Sequence, residues 1–167
     1  MALIKEATND KTFDKICGMS QEELKSFLKD YLTENGYEVV DKTGFLFAKA
    51  KETNPIPVLL TAHLDTVHKK RIKEILKTNH LNKDTGEIET YYTSEQGIGG
   101  DDRCGVYMIM NIIKEHNVSV LFCEDEEIGC FGSSQFALHK EHLAELEDIK
   151  YMIELDRHGE KDAVFYR

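Results

Sequence analysis

Residues 58–65 read VLLTAHLD, an apolar run that ends in a histidine and an aspartate. Such a run predicts a buried strand over residues 58–62. In an open α/β sheet, binding and catalytic sites form beyond the carboxyl ends of the strands. His63 and Asp65 stand directly after this strand, so both are candidate site residues.

Toward the N-terminus, Ser20 and Glu23 have the spacing of a capping box, and apolar side chains recur after them at helical spacing. This pattern predicts a helix that ends near Gly36. Two β-prone runs follow at 37–40 and 45–48, separated by Asp-Lys-Thr-Gly, and they predict a hairpin.

Toward the C-terminus, the chain alternates between strand-like and helix-like segments. The predicted elements are an excursion at 71–98 that contains a hairpin, a helix at 102–116, a strand at 118–123, a helix capped by Ser133 or Ser134 that runs to about residue 146, and a strand at 151–155. Alternation of this kind predicts an α/β fold, a three-layer sandwich in which helices flank a mixed, largely parallel sheet.

Length and charge limit the class of protein. The 167 residues, 41% of them hydrophobic, can bury one core, and we expect a single domain over residues 1–167. The formal net charge is −10, whereas nucleic acids and anionic membranes are bound through basic surfaces, so neither is expected as a partner. No apolar run approaches a membrane span of about 20 residues. The N-terminus shows no signal peptide, which predicts a cytoplasmic protein.

The four cysteines, Cys17, Cys104, Cys123 and Cys130, contain no C-x-x-C pair and lie in predicted helices or strands. This pattern predicts reduced, mostly buried thiols and argues against a four-cysteine zinc site. An alternative hypothesis is that Cys104 or Cys123 acts as a nucleophile beside a histidine. Inside apolar helices and strands, however, a packed thiol is the commoner role of cysteine.

Acidic side chains follow three of the predicted strands and begin one predicted helix. They are Asp65, the run at 124–127, Asp156, and the pair at 101–102. Because strand ends meet at one edge of a sheet, these groups are expected to converge. Several carboxylates in a partly buried site cannot all stay ionised without a cation, so the pattern predicts one or two divalent metal ions.

The types of residue suggest a division of roles. His63 supplies a nitrogen ligand, and Asp65, two residues later, can orient its imidazole. Glu126 and Glu127 are adjacent and diverge in an extended chain, so one can bind metal while the other handles a proton. Metal-assisted hydrolysis requires both activities.

Simpler readings of the same residues stay open. Asp102 is interpreted as a helix cap, the common use of aspartate at that place, and Asp101 as the metal ligand. The run at 124–127 would otherwise be a solvated acidic loop, and Asp156 would pair with Arg157. Two further histidines, His139 and His142, lie i, i+3 on a polar helix face and are interpreted as solvated.

Four motifs carry a resemblance to a known family. They read TAHLDTV at 61–67, GDDRCG at 100–105, DEEIG at 125–129 and IELD at 153–156. In this order the set resembles the co-catalytic zinc exopeptidases, which include bacterial zinc aminopeptidases, peptidase T and their carboxypeptidase relatives. The resemblance runs from about residue 56 to residue 157.

The resemblance implies a role for each matched residue. Asp101 would bridge two metal ions, His63 and Asp156 would complete one site, Glu127 would serve the other, and Glu126 would be the general base. Zinc is the implied metal, and manganese or cobalt also suits such ligands.

The family takes a final histidine ligand from much nearer its C-terminus. No such residue occurs before Arg167, and His158 stands too close to Asp156 on the chain to reach the far side of a two-metal centre. The second metal site is therefore expected to be incomplete, and the chain to be truncated at its C-terminus. The segment between His63 and Asp101 has room for a hairpin only, so no lid domain is expected.

The expected function is that of a metal-dependent hydrolase, aminopeptidase-like, which cleaves an amide bond near a peptide terminus. One alternative is a truncated or degenerate relative that acts by binding. Another is a deacetylase or amidase of small acylated amines, which would use the same metal chemistry in a different pocket.

Overall fold

The structure is a computed structural model that describes residues 5–7, 11–68, 71–72, 74–95, 97–157, 159 and 163–165. The strands are β1 Lys5–Ala7, β2 Val39–Lys42, β3 Phe45–Ala48, β4 Val58–His63, β5 Leu76–Leu81, β6 Ile88–Thr93, β7 Ser119–Cys123 and β8 Tyr151–Glu154. The helices are α1 Lys11–Cys17, α2 Gln21–Glu34, α3 Gly100–Ile112, α4 Phe131–Leu138 and α5 Lys140–Ala144. Within the described ranges, no helix has both the length and the apolar character that a membrane span needs.

The main sheet has five strands in the order β2-β3-β7-β4-β8. Strands β7, β4 and β8 run parallel to one another, while β2, β3 and β7 pair antiparallel. The chain passes from β4 through α3 to β7 on one side, and then through α4 and α5 to β8 on the other side. A mixed sheet with a parallel section is therefore confirmed.

Side chains of the central strands alternate between two apolar layers, as the pleat requires. In β3, Leu46 and Ala48 join the core formed with helices α1, α2 and α3, whereas Phe45 and Phe47 pack on the opposite face with Phe136 of α4. Helices thus cover both faces of the sheet. The predicted three-layer α/β sandwich is confirmed.

The capping box that predicted helix α2 is present. The Ser20 hydroxyl accepts the N–H of Glu23 at 3.2 Å, and the Glu23 carboxylate accepts the N–H of Ser20 at 2.9 Å. The excursion also contains the predicted hairpin, formed by β5 and β6. Strand β1, for which the sequence showed no signal, pairs with β5 and completes a separate three-stranded antiparallel sheet.

One predicted helix is wrong. Instead of a single helix capped at 133–134, the structure has α4 and α5, separated at His139, and α4 begins after Cys130 without a side-chain cap. The start of α4 is set by tertiary packing, because the N–H of Gly132 donates to the backbone oxygen of Glu124 at 2.8 Å. No local sequence signal reports that contact.

All four cysteines are free thiols, but only two of them match the prediction of mostly buried side chains. Cys17 and Cys123 are buried, and burial raises the pKa of each thiol to about 12. Cys104 and Cys130 are exposed. Cys104 lies near the start of α3 and Cys130 directly before α4, and neither belongs to an apolar layer.

Candidate metal centre

The carboxyl ends of β4, β7 and β8 lie side by side. His63 at the end of β4 is in register with Cys123 at the end of β7, and Thr61 of β4 is in register with Glu154 at the end of β8. Pairing continues one residue further, because the N–H of Leu155 donates to the Thr61 oxygen at 3.1 Å. The acidic residues that follow the three strands therefore share one edge of the sheet.

His63 is the centre of this edge, with 2% of its surface exposed. Its Nδ1 lies 3.1 Å from Oδ1 of Asp65, and its Nε2 lies 2.9 Å from Oδ1 of Asp101. Oδ2 of Asp156 is 3.8 Å from the same Nε2. The structure thus brings one imidazole together with three of the aspartates singled out in the sequence.

Asp65 connects the imidazole to the glutamate pair. Its Oδ1 accepts the backbone N–H of Glu126 at 2.9 Å, and its Oδ2 accepts that of Glu127 at 3.0 Å. Ligand-type atoms of His63, Glu126 and Glu127 all lie within 4.8 Å of one another. All six predicted site residues therefore meet at this edge.

Asp102 has a different environment from its neighbour Asp101, to which a cis peptide bond joins it. It is 2% exposed, and its two oxygens accept the N–H groups of His63 at 3.2 Å and Gly105 at 3.0 Å. The bond to Gly105 has the spacing of a capping contact, and it lies where regular helical geometry begins, because Asp101 and Asp102 have non-helical φ and ψ within α3. Asp102 also lies within 4.8 Å of His63 and Asp156, but each of its oxygens already accepts a backbone N–H. The Asp101 side chain, 71% exposed, is the more accessible ligand.

The acidic run after β7 divides into two halves. Glu124 accepts from Lys25 Nζ at 2.6 Å and from the N–H of Gly44 at 2.8 Å. Asp125 exchanges two hydrogen bonds with the side chain of Gln21, each of 3.0 Å. Helix α2 thereby holds the first half of the run, while the second half lies beside the imidazole. Sequence reasoning missed both α2 partners, because nothing local links them to a loop a hundred residues away.

Burial and neighbouring charges shift the ionisation of the centre. Burial alone would lower the pKa of His63, but the hydrogen bond with Asp101 and the charges of nearby aspartates raise it. Burial raises the pKa of Asp102 to about 8. Burial and the adjacent Asp101 raise the pKa of Asp156 to about 6. The carboxylates raise one another's pKa values because their negative charges repel. A bound cation would offset this repulsion.

The donor set fits a divalent metal ion. It offers Nε2 of the His63 imidazole as a ligand atom, while Nδ1 of the same ring faces the Asp65 carboxylate. Such a carboxylate sets the tautomer of metal-binding histidines. The remaining donors are carboxylate oxygens, and zinc accepts both types. His158, considered as a replacement ligand, lies outside the described residues.

A mixed α/β sheet with a histidine and carboxylates at the ends of its parallel strands is the arrangement of a metal-binding α/β domain. The chain belongs to peptidase family M28, because the model of that family matches residues 46–166.

The fold is also similar to a solved aminopeptidase, PepT from Bacillus cereus. The TM-score is 0.64 at 21% identity, and the match covers 89% of this chain and 42% of that one. The chain thus spans less than half the length of this structural relative, and at this identity the likeness shows the fold. No curated protein matches the sequence.

Proposed function

We propose that this chain carries the metal centre of a hydrolase that cleaves an amide bond near a peptide terminus, as an aminopeptidase does. The observation that supports the proposal is the meeting of His63 with Asp101, Asp156 and the glutamate pair at one sheet edge. Membership of a peptidase family supports a peptide substrate. The cytoplasmic location, the absence of a lid and the incomplete second site stay predictions.

His63, Asp101, Glu127 and Asp156 are the residues that would hold the metal, with zinc as the proposed ion. A bound divalent ion supplies Lewis acidity, which polarises a carbonyl and makes water more nucleophilic. Asp65 holds the proton on Nδ1 of His63, which leaves Nε2 as the ligand nitrogen.

Glu126 is the proposed general base. Its backbone is fixed by Asp65, and its Oε1 lies 3.5 Å from the Cys130 thiol, next to the imidazole. In the proposed reaction its carboxylate accepts a proton from the attacking water and then donates it to the leaving amine. That role requires an ionisable carboxylate but no metal bond.

The test is Glu126→Gln, assayed on free-amino peptides and amino-acid anilides with the metal content measured in parallel. We expect metal content near that of the unmodified chain and activity lower by about a hundredfold or more. Glu127→Gln should instead lose metal. Glu147→Gln, at an exposed glutamate after α5, is the matched control and should change neither.

The outcomes separate the candidate functions. Metal loss in Glu126→Gln would move that residue into the ligand set. Metal binding without turnover of any amide by the unmodified chain would favour the relative that acts by binding. Turnover of acetylated amines but not of free-amino peptides would favour the deacetylase or amidase.

A further inference from the structure

A second group of ligand-type side chains lies around the short helix α5. His139, Glu141 and His142 each offer one ligand atom, and the three atoms lie within 4.8 Å of one another. Nδ1 of His139 is 2.9 Å from Oε1 of Glu141. We call these three residues the α5 cluster, and it shares no residue with the groups around His63.

His142 is not the solvated histidine that its sequence position indicated. Only 5% of its surface is exposed, because its ring stacks on Phe136 with centroids 6.0 Å apart and meets Phe45 edge-on. The ring of Phe47 is tilted toward the His142 ring, with the two centroids 6.3 Å apart. The side chain belongs to the aromatic layer between the sheet and helices α4 and α5.

Both ring nitrogens of His142 are buried without a hydrogen-bond partner. The carboxylate oxygen Oε1 of Glu145 lies 3.8 Å from Nδ1, beyond hydrogen-bond distance. An imidazole always carries polar nitrogens, and buried polar atoms are nearly always satisfied. The α5 cluster thus joins an aromatic-lined imidazole, with neither nitrogen hydrogen-bonded to a described residue, to a histidine and a glutamate whose ligand-type atoms lie within 4.8 Å.

We propose that the α5 cluster binds a divalent transition-metal ion, with zinc as the best match. Two imidazoles and one carboxylate are a zinc-type donor set, whereas magnesium and calcium prefer oxygen ligands throughout. The ion would hold together the bend where α4 ends and α5 begins, since His139 is the cap residue of both helices. The site does not depend on the proposed hydrolase function.

Zinc binding by the whole chain tests the proposal, with zinc salt as the probe. We compare His139→Gln and Glu141→Gln, which alter partly exposed ligands, with His116→Gln, a control at an exposed histidine outside any candidate group of the described residues. The unmodified chain and the control should bind one more ion per chain than either cluster variant. Equal zinc content in all four proteins would overturn the proposal.

His63→Gln separates the two centres, because it weakens the site at the strand ends and leaves the α5 cluster intact. In this variant the imidazole NMR signals of His139 and His142 should still shift on addition of zinc. If they do not shift, the α5 site does not exist, whatever happens to hydrolysis.

His142→Phe controls for packing, since a phenylalanine ring can stack on Phe136 but cannot bind metal. Combined with His63→Gln, it should fold and show no zinc-dependent rise in Tm, while His63→Gln alone should show one. An equal rise in both proteins would overturn the proposal.

Discussion

The backbone N–H of Glu127 donates to Oδ2 of Asp65 at 3.0 Å. The other oxygen of the same carboxylate lies 3.1 Å from Nδ1 of His63 and also accepts the N–H of Glu126. One side chain thus sets both the orientation of the imidazole after β4 and the path of the glutamate loop after β7. Changes at Asp65 should affect metal binding and activity together.

Asp65→Asn should lower metal affinity by about 10–100-fold, the usual cost of removing a carboxylate that supports a histidine ligand. The amide keeps one acceptor oxygen, so it cannot serve His63 and both glutamate N–H groups at once. Competition with a chromophoric chelator measures the affinity. Asp148→Asn, at an exposed residue after α5, is the control and should bind metal normally. Normal affinity in Asp65→Asn would show that the contact does not orient the ligand.

Lys25 and Lys29 lie one turn apart on α2 and make ion pairs of different burial. Lys25 Nζ is 2.6 Å from Glu124, with side chains 13% and 16% exposed, whereas Lys29 pairs with Asp41 at 3.1 Å with side chains 50% and 35% exposed. Lys25→Met should lower the free energy of unfolding by about 2 kcal/mol, because it leaves the mostly buried Glu124 carboxylate without its cation and with only the N–H of Gly44 as a partner among the described residues. Lys29→Met should cost about 0–1 kcal/mol. Urea denaturation measures both, and equal losses would contradict the assigned role of Lys25.

The strand ends of the site could be predicted from the sequence, whereas the contacts that hold the acidic run could not. Apolar runs that stop at His63, Cys123 and Leu155 are local patterns that predict where the strands end. Because sites form at the carboxyl ends of parallel strands, these patterns also predict which residues meet. Glu124 and Asp125 are held by α2, which lies far away in the chain and shows only an ordinary polar face. Pairing between residues this far apart in the chain produces no periodic pattern in the sequence.

The same limit explains the errors about the second half of the chain. The polar spacing of His139 and His142 indicated a solvated helix face, but the helix breaks at His139, and the ring of His142 turns into the aromatic layer. The start of α4 also departs from the prediction, because the N–H of Gly132 donates to the backbone oxygen of Glu124 at 2.8 Å. Tertiary packing decided both features against the local pattern.

Gly132 tests this packing directly. A Cβ on it would meet the backbone oxygen of Gly44 and would lie 2.5 Å from the backbone nitrogen of Glu124, so the helix start would have to move. Gly132→Ala should destabilise the protein by about 1–3 kcal/mol. Ser134→Ala, at an exposed position in the same helix, should be nearly neutral. Thermal unfolding distinguishes them, and a neutral Gly132→Ala would show that the close approach is not needed.

The two buried thiols should make the fold sensitive to alkaline pH. Burial holds the pKa of Cys17 and Cys123 at about 12 against an ordinary 9.0, so the unfolded chain releases these protons first. Their contribution is fully present below about pH 9 and is lost as pH rises toward 12, with about 2 kcal/mol per thiol lost by about pH 10.5. Urea denaturation at about pH 8 and pH 10.5 measures the loss. The Cys17→Ala, Cys123→Ala double variant is less stable at the lower pH but should lose less on the way to the higher one. Equal losses in both proteins would mean that other groups carry the alkaline sensitivity.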